Sequence, residues 1–239
     1  MLTNKVALVT GSSKRIGKAI AIALAKEGAD VVIHYNNSKK EAEAVKKEIE
    51  KLGRQSIIVK ADLTNPKEVE AMFKDIIKKF KKIDILINNV GNFIFKDLND
   101  YTIKEWHHLI DTTLNTTYHC CKFALPYMRK QKSGNIINLA DSLADRIAAS
   151  PKLTPYMIGK TGVLILTQTL AVTEAKHGIN VNSVSPGVME NSITKPIDEV
   201  PKGRYGRYED ITNAILFLLD KKSDYITGAN IKVNGAWRI

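Results

Sequence analysis

The segment Tyr156-Met-Ile-Gly-Lys160 carries a phenol and an ammonium four residues apart. In a helix, this spacing places both groups on one face, one turn apart. A nearby ammonium favours the phenolate, so we expect Lys160 to lower the pKa of Tyr156. Tyr156 is therefore a candidate proton donor near neutral pH, with Lys160 as a second catalytic residue. Such a pair is common by chance, and its meaning depends on the elements around it.

A loop with two glycines, Gly11-Ser-Ser-Lys-Arg-Ile-Gly17, follows the first apolar run of the chain and precedes a helical pattern. Gly11 permits a tight turn, and Gly17 allows the helix to pack closely on a sheet. The N-terminus of that helix offers free N–H groups and a positive dipole end to a phosphate. Lys14 and Arg15 are therefore candidates to reach the phosphates of a dinucleotide or an anionic substrate.

The second apolar run ends in His34-Tyr-Asn-Asn-Ser38, which contains no carboxylate. An Asp or Glu at this place would bind the adenosine ribose of NAD. Asn37, Ser38 and Lys14 instead supply hydrogen-bond donors for a 2′-phosphate. The sequence therefore favours NADPH over NADH, unless these are only turn residues on a solvated edge.

Short apolar runs alternate with helical segments over the whole chain. Several runs are β-branched and apolar at consecutive positions, which is typical of strands buried on both faces of a parallel sheet. The pattern predicts an α/β fold: one doubly wound, Rossmann-type domain over residues 1–239 with a mostly parallel, seven-stranded sheet. Ligands of such folds bind at the edge where the strands end. The predicted strands are residues 6–10, 31–35, 56–60, 83–88, 135–140, 179–185 and 230–233.

The segments between these strands carry helix-start signals. Thr154-Pro155 opens a long predicted helix that runs to about His177. Gly159 and Gly162 lie inside it, where each costs about 1 kcal/mol relative to Ala. Close approach of a ligand or of a neighbouring helix would explain them. Three candidate capping residues each precede a glutamate by three positions, as in a capping box: Ser38, Asn65 and Thr102.

The composition excludes several classes of protein. With 44% hydrophobic residues and two cysteines in 239 residues, the chain is neither disordered nor a disulfide-stapled domain. No apolar run approaches the ~18 residues of a membrane span, and the N-terminal segment lacks the features of a signal peptide, so we expect a soluble cytoplasmic protein. The net charge of +11 could attract nucleic acid, but the lysines occupy solvent-facing helix positions. We expect no nucleic-acid, membrane or metal partner.

Over nearly its full length, the chain resembles the short-chain dehydrogenase/reductases. The matching motifs are, in chain order, Thr10-Gly11…Gly17, Asp62-Leu63, Asn88-Asn89-Val90-Gly91, Tyr156…Lys160, Asn182-Ser-Val-Ser-Pro186-Gly187 and Ile226-Thr-Gly228. This resemblance implies a Rossmann-type fold, a nicotinamide cofactor, a small-molecule substrate and a homotetramer or homodimer.

The loop chemistry and the resemblance together predict the residues that bind the cofactor. Asp62 and Leu63 would contact adenine, residues 89–91 would line the cofactor groove, residues 186–188 would hold the nicotinamide, and Lys160 would bind its ribose. The predicted set is Gly11, Ser13, Lys14, Arg15, Ile16, Tyr35, Asn36, Asn37, Ser38, Asp62, Leu63, Asn89, Val90, Gly91, Tyr156, Lys160, Pro186, Gly187 and Val188.

Three positions depart from the usual pattern of the family. Asp141 takes the place of the serine that ends the fifth strand, and Ser142 stands one residue later, from where it could still swing in. Arg15 replaces the middle glycine of the first loop. The helix asparagine that often completes a proton relay aligns with Thr113, and Asn115 lies two residues on.

Arg15 and Asp141 together are similar to the pteridine reductases, a branch of the family that reduces dihydropterins and dihydrofolate. That branch stacks the pterin between the nicotinamide and an aromatic residue, and Phe93 stands at the corresponding place. The resemblance implies NADPH-dependent reduction of a pterin C=N bond, with Asp141 and Tyr156 relaying the proton. The predicted substrate-binding residues are Arg15, Phe93, Asp141 and Tyr156.

The alternative is a 3-oxoacyl-thioester reductase or another ketone reductase. In such an enzyme a serine holds a carbonyl oxygen that becomes negative, and an ionised Asp141 would repel this oxyanion. Asp141 could serve there only if it were protonated, or Ser142 could substitute for it. A third possibility, a cofactor-binding regulator without turnover, is disfavoured because the chain keeps both Tyr156 and Lys160.

Overall fold

The computed structural model describes residues 2–238 as one domain built on a seven-stranded sheet. The strand order is β3-β2-β1-β4-β5-β6-β7, and every neighbouring pair runs parallel. The predicted doubly wound α/β fold is therefore confirmed. The strands are β1 Val6–Val9, β2 Asp30–Tyr35, β3 Ser56–Lys60, β4 Ile85–Asn88, β5 Gly134–Leu139, β6 Ile179–Pro186 and β7 Asn230–Val233.

Helices cover both faces of this sheet. Alternate residues of β1 point to opposite sides, so Ala7 and Val9 join one hydrophobic core while Val6 and Leu8 join the other. The first core packs under α1, α2 and α7, and the second under α3 and α5. The helices are α1 Arg15–Lys26, α2 Lys39–Lys51, α3 Pro66–Phe80, α4 Ile103–Ile110, α5 Thr116–Gln131, α6 Thr154–Glu174 and α7 Tyr208–Leu219. No helix in residues 2–238 is long and apolar enough to cross a membrane.

The three predicted capping boxes have different outcomes. The box at Thr102 is confirmed: its hydroxyl accepts from the N–H of Glu105, whose carboxylate accepts from the N–H of Thr102. The box at Ser38 is wrong, because its side chain makes no capping bond and the Glu41 carboxylate lies 2.7 Å from Lys14 Nζ. Asn65 does cap α3, but by accepting from the N–H two residues on rather than three.

A π-helical turn, Asp111–Asn115, joins α4 to α5 and lies against α6. An ideal Cβ on Gly159 of α6 would lie 2.0 Å from Thr113 Oγ1, and one on Gly162 would lie 2.9 Å from Leu114 Cδ2. Both glycines therefore allow close approach of a neighbouring helix, as the sequence predicts. On the far side, the Arg129 guanidinium of α5 binds the buried Glu174 carboxylate of α6 at 2.7 and 2.6 Å, which fixes α6 beside α5.

The first loop, residues 10–17, turns sharply between β1 and α1. Gly11 has a φ of +61°, in the left-handed region that favours glycine. An ideal Cβ on Gly17 would lie 2.3 Å from the Gly11 carbonyl oxygen and 2.7 Å from Asn89 Nδ2. The helix thus starts in backbone contact with the loop that precedes it, and a side chain at Gly17 would force the two apart.

Replacing Gly17 with Ala should lower the free energy of unfolding by about 2 kcal/mol or more, the scale of an overpacked contact that meets backbone rather than a flexible side chain. Urea unfolding at neutral pH measures the change. Gly162→Ala is the matched control, because it also adds one methyl group inside a helix. There the new methyl meets the movable tip of Leu114, and the gain in helix propensity of about 1 kcal/mol offsets the crowding. Equal losses in the two variants would contradict this account.

Candidate active site

A cleft of about 400 Å³ opens at the carboxyl ends of the central strands. Loops after β1, β4, β5 and β6 form its walls, together with the start of α6 and residues 189–194. Thirteen of the residues predicted to bind cofactor or substrate line this one cleft. They are Gly11, Lys14, Arg15, Ile16, Asn89, Gly91, Phe93, Asp141, Tyr156, Lys160, Pro186, Gly187 and Val188.

Eight predicted cofactor residues do not line the cleft: Ser13, Tyr35, Asn36, Asn37, Ser38, Asp62, Leu63 and Val90. Tyr35 and Leu63 are buried in the two hydrophobic cores. One oxygen of the Asp62 carboxylate accepts from the N–H and the hydroxyl of Thr64, at 2.9 and 2.7 Å. Asn36 and Asn37 are exposed beyond the end of β2. Their assignment to the adenosine end of a cofactor stays a prediction.

Tyr156 and Asp141 meet inside the cleft. The Tyr156 hydroxyl donates to Asp141 Oδ2 at 3.2 Å, and Asp141 Oδ1 accepts from the N–H of Leu143 at 2.9 Å. Burial raises the pKa of the Asp141 carboxyl, although Leu143 and Lys160 oppose the shift. Burial, and then the Asp141 charge, raise the pKa of Tyr156 well above its usual value. In this arrangement Tyr156 stays protonated at neutral pH.

Lys160 does not have the effect on Tyr156 that the sequence predicts. Its ammonium is buried and donates to the Leu139 carbonyl at 2.6 Å, while it lies 5.8 Å from the centre of the Tyr156 ring. Burial lowers the pKa of Lys160 to about 8, opposed by the Asp141 charge. The expectation that Lys160 lowers the pKa of Tyr156 is wrong here, because burial and the nearer carboxylate dominate the phenol.

The other polar candidates near this pair point elsewhere. Ser142 does not line the cleft, and its buried Oγ has no hydrogen-bond partner, so the structure does not place it in the role of the missing serine. The Thr113 hydroxyl donates to the Leu109 carbonyl. The Asn115 amide donates to the Asp111 carboxylate at 2.7 Å. Neither Thr113 nor Asn115 therefore connects Lys160 to a proton relay in this structure.

Phe93 forms an aromatic wall beside the Tyr156 phenol. Its ring centre lies 5.1 Å from that of Tyr156 with the rings at 79°, an edge-to-face contact. Phe95 stacks near it at 6.5 Å and 12°. Phe93, Tyr156 and Asp141 thus form one continuous group of side chains in the cleft. Arg15 lines the same cleft but donates to the carbonyl of Asn191 at 2.9 Å.

Asn89 fastens the loop after β4 to the first loop. Its side-chain amide donates to the Thr10 carbonyl at 2.9 Å, and its backbone N–H donates to the Thr10 hydroxyl at 2.8 Å. That hydroxyl also accepts from the N–H of Val90 at 3.2 Å. Asn89 therefore shapes the floor of the cleft, and its amide donor is already used by protein carbonyls.

His34 fixes the first loop from the other side, a role that the sequence does not reveal. Its Nδ1 accepts from the N–H of Gly11 at 3.0 Å, so its Nε2 carries the hydrogen and donates to the Ala61 carbonyl at 3.0 Å. The backbone of His34 also exchanges bonds with Ser12, whose hydroxyl donates to the Val9 carbonyl. Burial lowers the pKa of His34 to about 4, so the ring is neutral near pH 7.

The comparisons agree with this arrangement. A family profile described as Enoyl-(Acyl carrier protein) reductase matches residues 11–237. The chain is 38% identical to the 3-oxoacyl-[acyl-carrier-protein] reductase FabG of Staphylococcus aureus, over 98% of both chains. It is 39% identical to the 3-oxoacyl-[acyl-carrier-protein] reductase of a Synechocystis species, over 98% of this chain and 97% of the relative. The chain belongs to the short-chain dehydrogenase/reductase family.

Solved structures of short-chain dehydrogenases have the same fold as this chain. A putative short-chain alcohol dehydrogenase from Sinorhizobium meliloti superposes with a TM-score of 0.92 at 29% identity, over 99% of this chain and 97% of the other. A 7α-hydroxysteroid dehydrogenase complexed with NADH and 7-oxo glycochenodeoxycholic acid has the same score and identity, over 99% and 95%. The predicted family is thus confirmed, whereas the pteridine reductase branch is not among these relatives. This short-chain dehydrogenase/reductase is an oxidoreductase, and its family uses nicotinamide cofactors.

The two cysteines of this family member lie inside the protein, and the Asn88 amide donates to Cys121 Sγ at 3.4 Å. Cys120 and Cys121 are fully buried in α5, and burial raises the pKa of Cys121 to about 12. Within residues 2–238, no cluster of three or more His, Cys, Asp or Glu side chains has an arrangement that could hold a metal ion.

Replacing His34 with Gln should remove part of the pH dependence of stability. The folded pKa of His34, about 4, lies below the unfolded value of 6.5, so the unfolded chain binds more protons between these values. The contribution of the neutral His34 ring to the free energy of unfolding is complete above pH 6.5 and is lost as the pH falls towards 4. At 1.36 kcal/mol per pKa unit this amounts to about 3 kcal/mol.

Urea unfolding of wild type and His34→Gln at several pH values between 4 and 7 measures the difference in the free energy of unfolding. This difference should shrink as the pH falls. His107→Gln, at an exposed helix position, should keep the wild-type pH dependence. Parallel stability curves for wild type and His34→Gln would refute the assigned role.

Proposed function

We propose that this chain is an NADPH-dependent reductase that adds hydride to a carbonyl carbon, with a 3-oxoacyl thioester as the first candidate substrate. The observation that carries the proposal is the buried Tyr156 hydroxyl, which lies in the cleft with Lys160 behind it. The similarity to 3-oxoacyl-[acyl-carrier-protein] reductases over 98% of both chains supports the choice of substrate. A dinucleotide would supply the hydride, and the protein would supply the proton.

The cleft has features that suit a dinucleotide. Gly11 and Gly17 have no side chains where the first loop meets α1, so a phosphate could approach the backbone N–H groups there, beside Lys14 and Arg15. Residues 186–188 form the opposite wall. The end of β2 lacks a carboxylate that would favour NAD, which supports NADPH. Lys14 is paired with Glu41 at 2.7 Å, so it would have to exchange this partner to bind a 2′-phosphate.

The protein's own groups can deliver the proton. Tyr156 donates its hydrogen bond to Asp141 and could donate it to a substrate oxygen at the same place. The raised pKa of Asp141 increases the fraction of protonated carboxyl. A protonated Asp141 could donate to the carbonyl oxygen, as serine does in the usual pattern of the family. Lys160, whose pKa is lowered to about 8, has its ammonium on the Leu139 carbonyl and could also donate to the ribose of a bound cofactor.

A pterin is the second candidate substrate, and two observations favour it. An ionised Asp141 accepts hydrogen bonds, which suits the amino group of a pterin better than an oxyanion. Phe93 stands at the wall of the cleft beside Tyr156, where a flat ring could stack. In that reaction hydride would add to carbon and a proton to nitrogen of the C=N bond, with Tyr156 and Asp141 passing the proton.

Steady-state kinetics with NADPH should separate the two substrates. We expect a higher kcat/KM for a 3-oxoacyl thioester than for a dihydropterin or dihydrofolate under the same conditions. The reverse order would overturn the first candidate and support the pterin. Oxidation of NADPH with none of the three, by a protein that still binds NADPH, would contradict both and point to a binding protein without turnover.

Variants of Asp141 test whether the protonated or the ionised carboxyl takes part in the reaction. If the protonated form assists a carbonyl, Asp141→Asn and Asp141→Ser should keep a donor and stay within about tenfold of wild-type thioester reduction. They should also lose the fall in kcat/KM as the pH rises through the Asp141 pKa. If Asp141 relays a proton to a pterin, both variants should lose about 100-fold or more of pterin reduction.

Asp145→Asn is a matched control, since Asp145 lies on the same loop but pairs with Lys232 at 2.7 Å outside the cleft. Its kinetics should equal those of wild type. If wild type and Asp141→Asn have the same rates and pH profiles with every substrate, Asp141 has no part in the chemistry.

We also propose that the chain forms a homodimer or homotetramer, as the family resemblance implies. The outer face of α6 supports this proposal, because Ile158, Ile165 and Val172 follow each other at intervals of seven residues and are 48%, 61% and 81% exposed. An apolar stripe of this kind is typical of a helix that packs against another subunit.

A further inference from the structure

Arg15 has a backbone conformation that its neighbours must hold in place. Its φ is +52°, in the left-handed region that side chains other than glycine rarely adopt. Such conformations persist where surrounding contacts over-determine them, and they occur often at functional sites. Lys14 before it is extended and α1 begins at Arg15 itself, so the unusual conformation aims this one side chain out of the first loop.

The Arg15 side chain ends on residue 191, at a separation of 176 positions in the sequence. Arg15 Nη2 donates to the Asn191 backbone carbonyl at 2.9 Å. With the Asn191 amide oriented so that its oxygen faces donors, this oxygen accepts from Arg15 Nε at 2.6 Å and Nη2 at 3.0 Å. The same oxygen accepts from the Tyr208 hydroxyl at 2.8 Å. Asn191 therefore joins the first loop to the start of α7.

Asn191 belongs to the segment of residues 189–200, the covering segment, of which Met189 and residues 191–194 line the cleft. At its base, Met189 pairs with Gly206 and Glu190 donates to the Gly206 carbonyl at 3.0 Å. At its far end, Glu199 pairs with Arg238 at 2.7 Å. The contacts of Asn191 lie between these two ends, where they limit how far the middle of the segment can move away from the cleft.

We propose that Arg15, Asn191 and Tyr208 form a latch that positions residues 189–200 over the substrate site. Asn191 is the positioning residue, because it receives hydrogen bonds from both sides. One edge of the Arg15 guanidinium, formed by Nε and Nη2, is occupied by Asn191. That edge is one of the two that can form a bidentate bond with a carboxylate or phosphate. Arg15 thus acts on the substrate through the covering segment. The latch itself rests on the structure, and only its effect on the kinetics rests on the proposed function.

The latch also joins the two halves of the cleft. Arg15 lies in the first loop, where the cofactor would bind, and Asn191 lies in the segment above the substrate. A change on one side therefore alters the position of the other through these hydrogen bonds. Loosening the latch should weaken substrate binding without changing the chemical step, because Tyr156 and Asp141 stand on other elements.

Limited trypsin digestion without substrate tests the latch directly. Lys202 and Arg204 follow the covering segment at exposed positions, whereas the bond after Lys195 precedes Pro196 and resists trypsin. Tyr208→Phe removes one hydroxyl and keeps the ring, and Asn191→Leu removes the bonds of the Asn191 side chain while leaving its backbone carbonyl to Arg15. Both should speed cleavage after Lys202 or Arg204 about threefold or more, since cleavage follows the population of the open segment.

Two control variants show whether faster cleavage is specific to the loss of the latch. Tyr225→Phe removes a hydroxyl from a side chain that is 98% exposed, and it should cleave as wild type does. The increase in cleavage rate in the double variant Arg15→Met with Asn191→Leu should be smaller than the product of the two single-variant increases, because both changes remove the bonds between these two side chains. Wild-type cleavage rates in Asn191→Leu, with melting temperature unchanged, would overturn the latch whatever the enzyme reduces.

Kinetics with the best substrate and NADPH complete the test. Tyr208→Phe should raise the substrate KM about threefold or more and leave kcat within about twofold. A lower kcat with an unchanged KM would overturn the positioning role. If no substrate is turned over, the proposed function fails while the trypsin result still decides the latch. Faster trypsin cleavage with normal kinetics would limit the latch to the free protein and contradict its action on substrate.

Discussion

All seven strands run in the same direction, and this constraint determines where everything else in the molecule can act. Parallel strands need crossover connections, so each strand ends at the same edge of the sheet and a helix returns the chain to the opposite edge. Gly11, Asn89, Asp141 and Pro186 are far apart in sequence, yet each follows a neighbouring central strand. The cleft exists because four loops are forced to the same place, and the glycine contacts of the first loop then allow them to close together.

Within the cleft, burial dominates the electrostatics. Tyr156, Asp141 and Lys160 are removed from water together, which favours the uncharged form of each. The ammonium and the carboxylate partly compensate each other, while the phenol receives only the unfavourable influence of the carboxylate. The same residues in an exposed site would keep their ordinary titration.

Much of the fold followed from the sequence, because buried parallel strands carry an unmistakable run of apolar, β-branched residues. The family resemblance also implied that Asp141 would lie near Tyr156, because Asp141 takes the place of the serine that ends the fifth strand. The direction of the Lys160 ammonium could not be predicted, because it depends on the free carbonyl of Leu139 rather than on helical spacing. His34 was missed because its partners are backbone groups on other elements. The bond from Arg15 to Asn191 depends on an uncommon φ value, for which a sequence carries no signal.

The contact between Gly159 and Thr113 has a consequence for how this enzyme can diverge. The bare Cα of Gly159 faces the threonine on the π-helical turn, with no room for a methyl group. A larger residue at position 159 is therefore tolerated only after a smaller residue arises at position 113. The two positions must change in that order in an evolutionary lineage, or in a designed library, although one lies beside Lys160 and the other on a separate helix. Mutational scans that alter one residue at a time would classify position 159 as intolerant and would miss the permitted pairs.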